Sequence, residues 1–181
     1  PKDTLIRIKQ NLVKLDRIRG NNLIFSNGMV AGITKEQIDS WHSNHKQKVT
    51  AVVCSYNDAD ILPRCINSLL VTTEADELDI IIVDDYAQQS SRDFLKQYES
   101  NPRIKVVYRK INGGYTKAAN TGIKAALKLN PDSDVVMINN DIEAKSGWLA
   151  ALCYGAYAYG KHPEKTGIVG AKLLYPDGTI Q

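Results

Sequence analysis

From Val49 onward the chain alternates between two kinds of segment. Apolar runs of strand length occur at VTAVVCSY (49–56), LDIIIVDD (78–85), RIKVVYR (103–109), SDVVMINND (133–141) and GIVGAKLLY (167–175). Between them, segments at 59–71, 91–99, 116–129 and 147–160 have helical character. Near-continuous apolar strands alternating with helices make a mostly parallel sheet covered by helices on both faces. The pattern therefore predicts an α/β fold, Rossmann-like in its layering, with a turn at Pro176-Asp177-Gly178 after the fifth strand.

Residues 1–47 follow a different pattern. Leu5, Ile8, Leu12, Leu15 and Ile18 recur at helical spacing over 4–19, basic residues stand between them, and Gly20 ends the run. NNLIFSNGMVAG reads as a short hairpin around Asn27-Gly28, and ITKEQIDSWHSNHKQK as a second short helix with a polar linker. The expected organisation is a short helical N-terminal extension (1–47) followed by an α/β domain (48–181). The basic amphipathic helix would suit packing on its own domain, peripheral membrane contact or self-association.

Composition narrows the function classes. With 181 residues, 43% of them hydrophobic and 24% charged, the chain can bury one good core. A net charge of +3 is too weak to argue for nucleic acid, although it would suit an anionic small substrate. Cys54, Cys65 and Cys153 are odd in number and lack CxxC spacing, which points to reduced structural thiols and a cytoplasmic setting. No apolar run approaches the length of a transmembrane helix and no secretory leader is visible, so the cytoplasmic face of a membrane is the furthest departure expected. Pro1 is not an initiator methionine, which suggests a processed or excised chain.

In an open α/β sheet, ligands bind at the carboxyl ends of the strands. Those ends carry Ser55-Tyr56-Asn57-Asp58, Asp84-Asp85, Arg109-Lys110 followed by Asn112-Gly113-Gly114, and Asn139-Asn140-Asp141. Asp84 and Asp85 could cap the next helix or accept hydrogen bonds from a nucleobase or ribose. Gly113-Gly114 opens a helix and lets backbone approach a ligand closely, with Lys117 and Asn120 three apart on that helix. Neither GxGxxG nor a GxxxxGK[ST] loop occurs, which argues against a dinucleotide site and a P-loop. Asp141 could cap a helix, or supply one carboxylate to a hard divalent cation whose shell a substrate phosphate completes.

Taken together, VTAVVCSYNDADILPRCINSLL, IIIVDD, NGGYTKAANTGIKAA, VVMINNDIEAKSGWL and GIVGAKLLYPDGTIQ resemble glycosyltransferase family 2 in order and spacing over about residues 48–181. The likeness is greatest to its rhamnosyltransferase-like branch. That resemblance implies the GT-A fold and an inverting transfer from a nucleotide-diphosphate sugar (UDP, dTDP or GDP type) to a glycan or other hydroxyl acceptor. It also implies Mg²⁺ or Mn²⁺ as cofactor. Ser55, Tyr56 and Asn57 match the nucleotide pocket, Asp84 the aspartate on the base, with Asp85 beside it. Gly113, Gly114 and Asn120, with Lys117 between them, match the loop and helix near the diphosphate and sugar. Asn139-Asn140-Asp141 matches Asp-x-Asp, with Asp141 as the metal ligand.

The chain departs from the family pattern at three places. Asn139 replaces the first aspartate of that motif, Tyr86 stands where a small residue is usual, and Cys54 where proline is common. The general base that an inverting displacement needs matches nothing in residues 1–181 and is expected beyond Gln181, making this the donor-binding part. A non-catalytic nucleotide-sugar-binding module is the rival reading. A nucleotidyltransferase would instead carry a Gly-rich basic loop where SYNDAD stands, and the segment order does not fit a phosphorelay receiver.

Overall fold

Four of the five apolar runs form strands: β1 (Val49–Ser55), β2 (Leu78–Asp84), β3 (Ile104–Tyr108) and β4 (Asp134–Ile138). In the computed structural model, which describes residues 33–160 and 162–181, they make one all-parallel sheet in the order β3-β2-β1-β4. The helices are α1 (Lys35–Asn44), α2 (Leu62–Val71), α3 (Gln89–Leu95), α4 (Gly114–Leu129) and α5 (Trp148–Tyr157). The expected helix at 4–19 and the hairpin at Asn27-Gly28 lie outside the described residues.

The described residues group into two compact units. Lys46–Ser146 contains the whole sheet, and Gly147–Gln181 joins the residues up to His45 in the other. In the second unit the Trp41 ring of α1 meets the Tyr154 ring of α5 edge-on, centroids 5.5 Å apart. No helix among the described residues is long and apolar enough to cross a membrane.

Both faces of the central strands β1 and β2 are dry. Val52, Ile81 and Val83 point to one face and pack with Ala118 and Ala126 of α4. Ala51, Val53, Ile80 and Ile82 alternate to the other face and are also fully buried. On α2, Leu62, Cys65, Ile66 and Leu69 form a fully buried stripe at i, i+3, i+4 and i+7. Small residues set the spacing of α4. A Cβ on Gly122 would lie 2.2 Å from Val52 Cγ1 and 2.9 Å from Val83 Cγ2, so the helix backbone rests directly on the strands.

The register aligns the strand ends. Ser55 pairs with Asp84, Asp84 with Tyr108, and Val53 with Ile138. From β1 the chain builds outward through β2 and β3 on one side, then returns to add β4 on the other. The strand order therefore reverses between β1 and β4, which is where an open α/β sheet leaves a crevice.

Two expectations need correction. Residues 167–175 do not form a fifth sheet strand among the described residues; their one ladder contact is the antiparallel bridge Leu174–Ile180. An apolar run specifies a strand only where a neighbour receives its N–H and C=O groups, and Gly167 and Gly170 weaken this one further. What forms is a small exposed hairpin. Tyr175 N–H donates to Thr179 O, and Gly178, at φ 85°, turns the chain at Pro176-Asp177-Gly178 as expected. The helix expected from residue 59 begins at Leu62, because Asp58 O first accepts the Ile61 and Leu62 amides in a turn at 3.0 and 2.9 Å.

Gly122→Val should cost about 1–3 kcal/mol by overpacking α4 against Val52, read as a lower urea midpoint of the full chain. An unchanged midpoint would show that α4 does not sit on the sheet.

Candidate functional site

β1 delivers its carboxyl end as a strained turn. Asn57 adopts φ 54°, a left-handed conformation that asparagine tolerates, and its Oδ1 accepts the Gln88 amide at 2.7 Å. Asp58 follows, buried, with its carboxylate accepting Ser55 Oγ at 2.6 Å and the side-chain amide of Asn140. The ends of β1, β2 and β4 are thus joined through side chains.

At the end of β2, neither acidic residue caps the next helix, whose N-cap is Gln88. Asp84 has no exposed surface. Its Oδ1 accepts the Ala87 amide at 3.0 Å, and Arg92 Nε lies 3.1 Å from Oδ2, an ion pair without hydrogen-bond geometry. The Arg92 guanidinium also sits over the rings of Tyr86 and Tyr108, at 5.8 and 5.3 Å from their centroids. Tyr86 itself has φ 64°, a left-handed conformation uncommon for a bulky residue.

Asp85 faces the other way. Its Oδ1 is paired with Arg109 at the end of β3, and the Gly113 amide reaches both carboxylate oxygens at 3.1 and 3.2 Å. A Cβ on Gly113 would come within 2.7 Å of both Arg109 terminal nitrogens and of Lys117 Cδ. A side chain there would displace the ends of the Arg109 and Lys117 side chains from under the loop. Gly114 takes φ 74° and opens α4 with empty space beside it.

A cavity of about 440 Å³ lies among these strand ends, within the sheet unit. Its wall includes Cys54, Ser55 and Tyr56 from β1, Asp85 from β2, Asn112, Gly114, Tyr115 and Ala118 from the start of α4, and Asn139-Asn140-Asp141 after β4. Of the residues expected from sequence, Ser55, Tyr56, Asp85, Gly114, Asn139, Asn140 and Asp141 come together on this wall. Asn57, Asp84 and Gly113 stand behind it as supports. Lys117 and Asn120 are exposed on α4 and off the wall.

Asp141 differs from the other strand-end carboxylates. It is exposed, and no cation among the described residues pairs with it. Nor does it cap a helix, because α5 begins seven residues later with Gly147 as N-cap. Among the described residues no group of three or more His, Cys, Asp or Glu side chains could hold a metal. A cation here would therefore draw oxygen ligands from Asp141, neighbouring amides and a bound anion, a donor set that fits a hard divalent ion. Burial and the Asp85 charge push the Cys54 thiol up to about 11, so it presents a neutral, inert wall. Burial likewise raises the Tyr115 phenol.

Sequence reasoning gives no site role to Cys54, Tyr115 and Ala118 on the wall or to Arg92 as a support; Asn112, on the wall, and Asp58 and Arg109, behind it, stand in the strand-end sets but without the contacts they make. Tyr115 and Ala118 can be found from Gly114, since i+1 and i+4 in a first helical turn share its end of the helix. Arg92 has no local signal; only the fold brings it to Asp84.

Comparison with known proteins places these observations. The model of Glycosyl transferase family 2 matches residues 50–161. The glycosyltransferase EpsJ of Bacillus subtilis (strain 168) is 39% identical over 79 residues, covering 43% of this chain and 22% of EpsJ. The poly(ribitol-phosphate) beta-glucosyltransferase of Bacillus spizizenii is 35% identical over 82 residues, covering 44% of this chain and 13% of that protein. The matched segment thus spans a third or less of these relatives. Among solved structures, the mannosyltransferase PcManGT of Pyrobaculum calidifontis, in complex with GDP-Man and Mn²⁺, aligns with a TM-score of 0.51 at 19% identity. That alignment covers 60% of this chain and 32% of PcManGT, and it establishes the GT-A fold.

Arg109→Ala would leave the Asp85 carboxylate buried without its cation, and should destabilise the full chain by about 3–5 kcal/mol in urea denaturation. A loss under about 1 kcal/mol would mean that the pair is dispensable to the loop.

Proposed function

The chain belongs to glycosyl transferase family 2, and from that premise we propose that it is the donor-binding part of an inverting, metal-dependent glycosyltransferase. The observation that carries the reading is the exposed Asp141 carboxylate, unpaired among the described residues, on the wall of a cavity that α4 enters with its N-terminus. The N–H groups of that first turn, of which Gly114's donates to Asn112 Oδ1 at 3.2 Å, and the dipole of a 16-residue helix behind them favour a diphosphate. Gly114 brings no side chain into the space they occupy. Tyr56 and Tyr115, about half exposed, offer rings for stacking and hydroxyls for hydrogen bonds to a base or sugar.

The donor is a nucleotide-diphosphate sugar of UDP, dTDP or GDP type. Asp141, with the Asn139 and Asn140 amides beside it, would hold Mg²⁺ or Mn²⁺ against the diphosphate. That ion, when bound, supplies Lewis-acid stabilisation of the negative charge developing on the departing nucleotide. The chain's own contribution is positional. Asp85 fixes the 109–114 loop through Arg109 and Gly113, and Asp84 fixes the Tyr86–Ala87 turn beside it. A half-buried, neutral Cys54 thiol adds no competing nucleophile. A glycan or other hydroxyl acceptor and a cytoplasmic location complete the reading; the family and the glycosyltransferase activities of the relatives support its transferase core.

Calorimetric titration of the full chain with UDP, dTDP and GDP, with and without MnCl₂, tests the reading. One nucleotide should bind more tightly by about tenfold or more with Mn²⁺ present, and Asp141→Ala should abolish that enhancement while leaving metal-free binding within about twofold. Unchanged enhancement in Asp141→Ala would remove the metal assignment, and no binding of any nucleotide would remove the donor-binding reading.

A further inference from the structure

Asp58 is a buried carboxylate at the strand ends that, unlike Asp84 and Asp85, meets no arginine among the described residues. It is 6% exposed, and its carboxylate accepts from Ser55 Oγ and the Asn140 side-chain amide, neither of them a cation. A buried negative charge held by neutral donors is costly, and an asparagine or threonine could bridge the same strands without that cost. What a carboxylate does, and an amide cannot, is accept only. Bonded to Asp58, the Asn140 side chain is compelled to turn its N–H₂ inward, which leaves its carbonyl oxygen as the free end of an amide on the cavity wall.

We propose that Asp58 is a positioning residue for the cation site: it fixes Asn140 with the carbonyl oxygen toward the cavity and adds a second negative charge behind Asp141. The motif after β4 has only one carboxylate because Asn139 stands at its first position. Asp58 restores the missing charge from β1, across the point where the strand order reverses. Its backbone makes the position rigid, since Asp58 O accepts the Ile61 and Leu62 amides that start α2. α2 in turn grips the same segment. Cys65 Sγ lies 3.4 Å from Asn139 O, and Ser68 Oγ accepts the Ala144 amide at 2.8 Å. The residues on either side of Asp141 are therefore held by α2, and the amide next to it is oriented by the residue that leads into that helix.

The inference rests on the donor-binding reading, and its test separates the two. The full chain is titrated with UDP and GDP, with and without MnCl₂, as wild type, Asp58→Asn, Asn140→Ala and the double variant. Asp58→Asn lets the Asn140 amide flip, and should reduce the Mn²⁺ enhancement by about tenfold or more while metal-free nucleotide binding stays within about twofold. Asn140→Ala breaks the same contact from the half-buried side, where the fold tolerates truncation better, and should reproduce the loss. Because Asp58 acts partly through Asn140, the double variant should lose less than the sum of the singles. Full Mn²⁺ enhancement in either folded single variant, or strictly additive losses, overturns the inference while the donor-binding reading stands. An equal loss of binding with and without Mn²⁺ also overturns it, by showing a merely structural role. Absence of Mn²⁺ enhancement in the wild type overturns the reading, and the inference with it.

Discussion

Burying the Asp85 carboxylate costs several kcal/mol unless cations and N–H groups replace its water, and Arg109 and the Gly113 amide do so here. That exchange fixes more than one pair. Arg109 closes β3, Asp85 closes β2, and Gly113 leads into α4, so one ionic contact sets where the first turn of α4 points. Gly113 admits it by having no Cβ under the guanidinium. The cavity wall exists because this loop cannot open without leaving a charge stranded.

The acidic residues at the sheet edge divide into two groups. Asp58, Asp84 and Asp85 are buried and spent on the protein's own N–H groups, hydroxyls and arginines. Asp141 is exposed and unspent among the described residues. The three buried ones build a rigid rim at the ends of β1, β2 and β3, and the fourth faces the space that rim encloses. A frame that consumes its own carboxylates leaves one to meet a cation, which suits a cation that arrives with phosphate oxygens of its own.

Much of this is legible in the amino-acid sequence. The four strands, their parallel pairing and the polar sets at their ends follow from β-branched apolar runs that stop at polar residues, a signal that survives because parallel strands are buried on both faces. The expected residues that reach the wall are those adjacent in sequence to a strand end or to the first turn of α4. What escapes is non-local. Asp58 stands in plain view in SYNDAD but its bond to Asn140 crosses the sheet, and Arg92 reaches Asp84 only once α3 is packed. Lys117 and Asn120 share the right helix, yet the rotation of α4 is set by Gly122 on Val52, which turns both off the wall. The run 167–175 fails as a strand for a related reason: its composition suits one, but composition does not supply a neighbour.

The most direct test of the account is a crystal structure of the full chain grown with a nucleoside diphosphate and MnCl₂, with anomalous data collected at the manganese edge. One manganese peak should lie at the Asp141 carboxylate beside the diphosphate, with the diphosphate against the first turn of α4 at Gly114. Manganese held without Asp141, or a diphosphate bound away from that turn, would contradict the account.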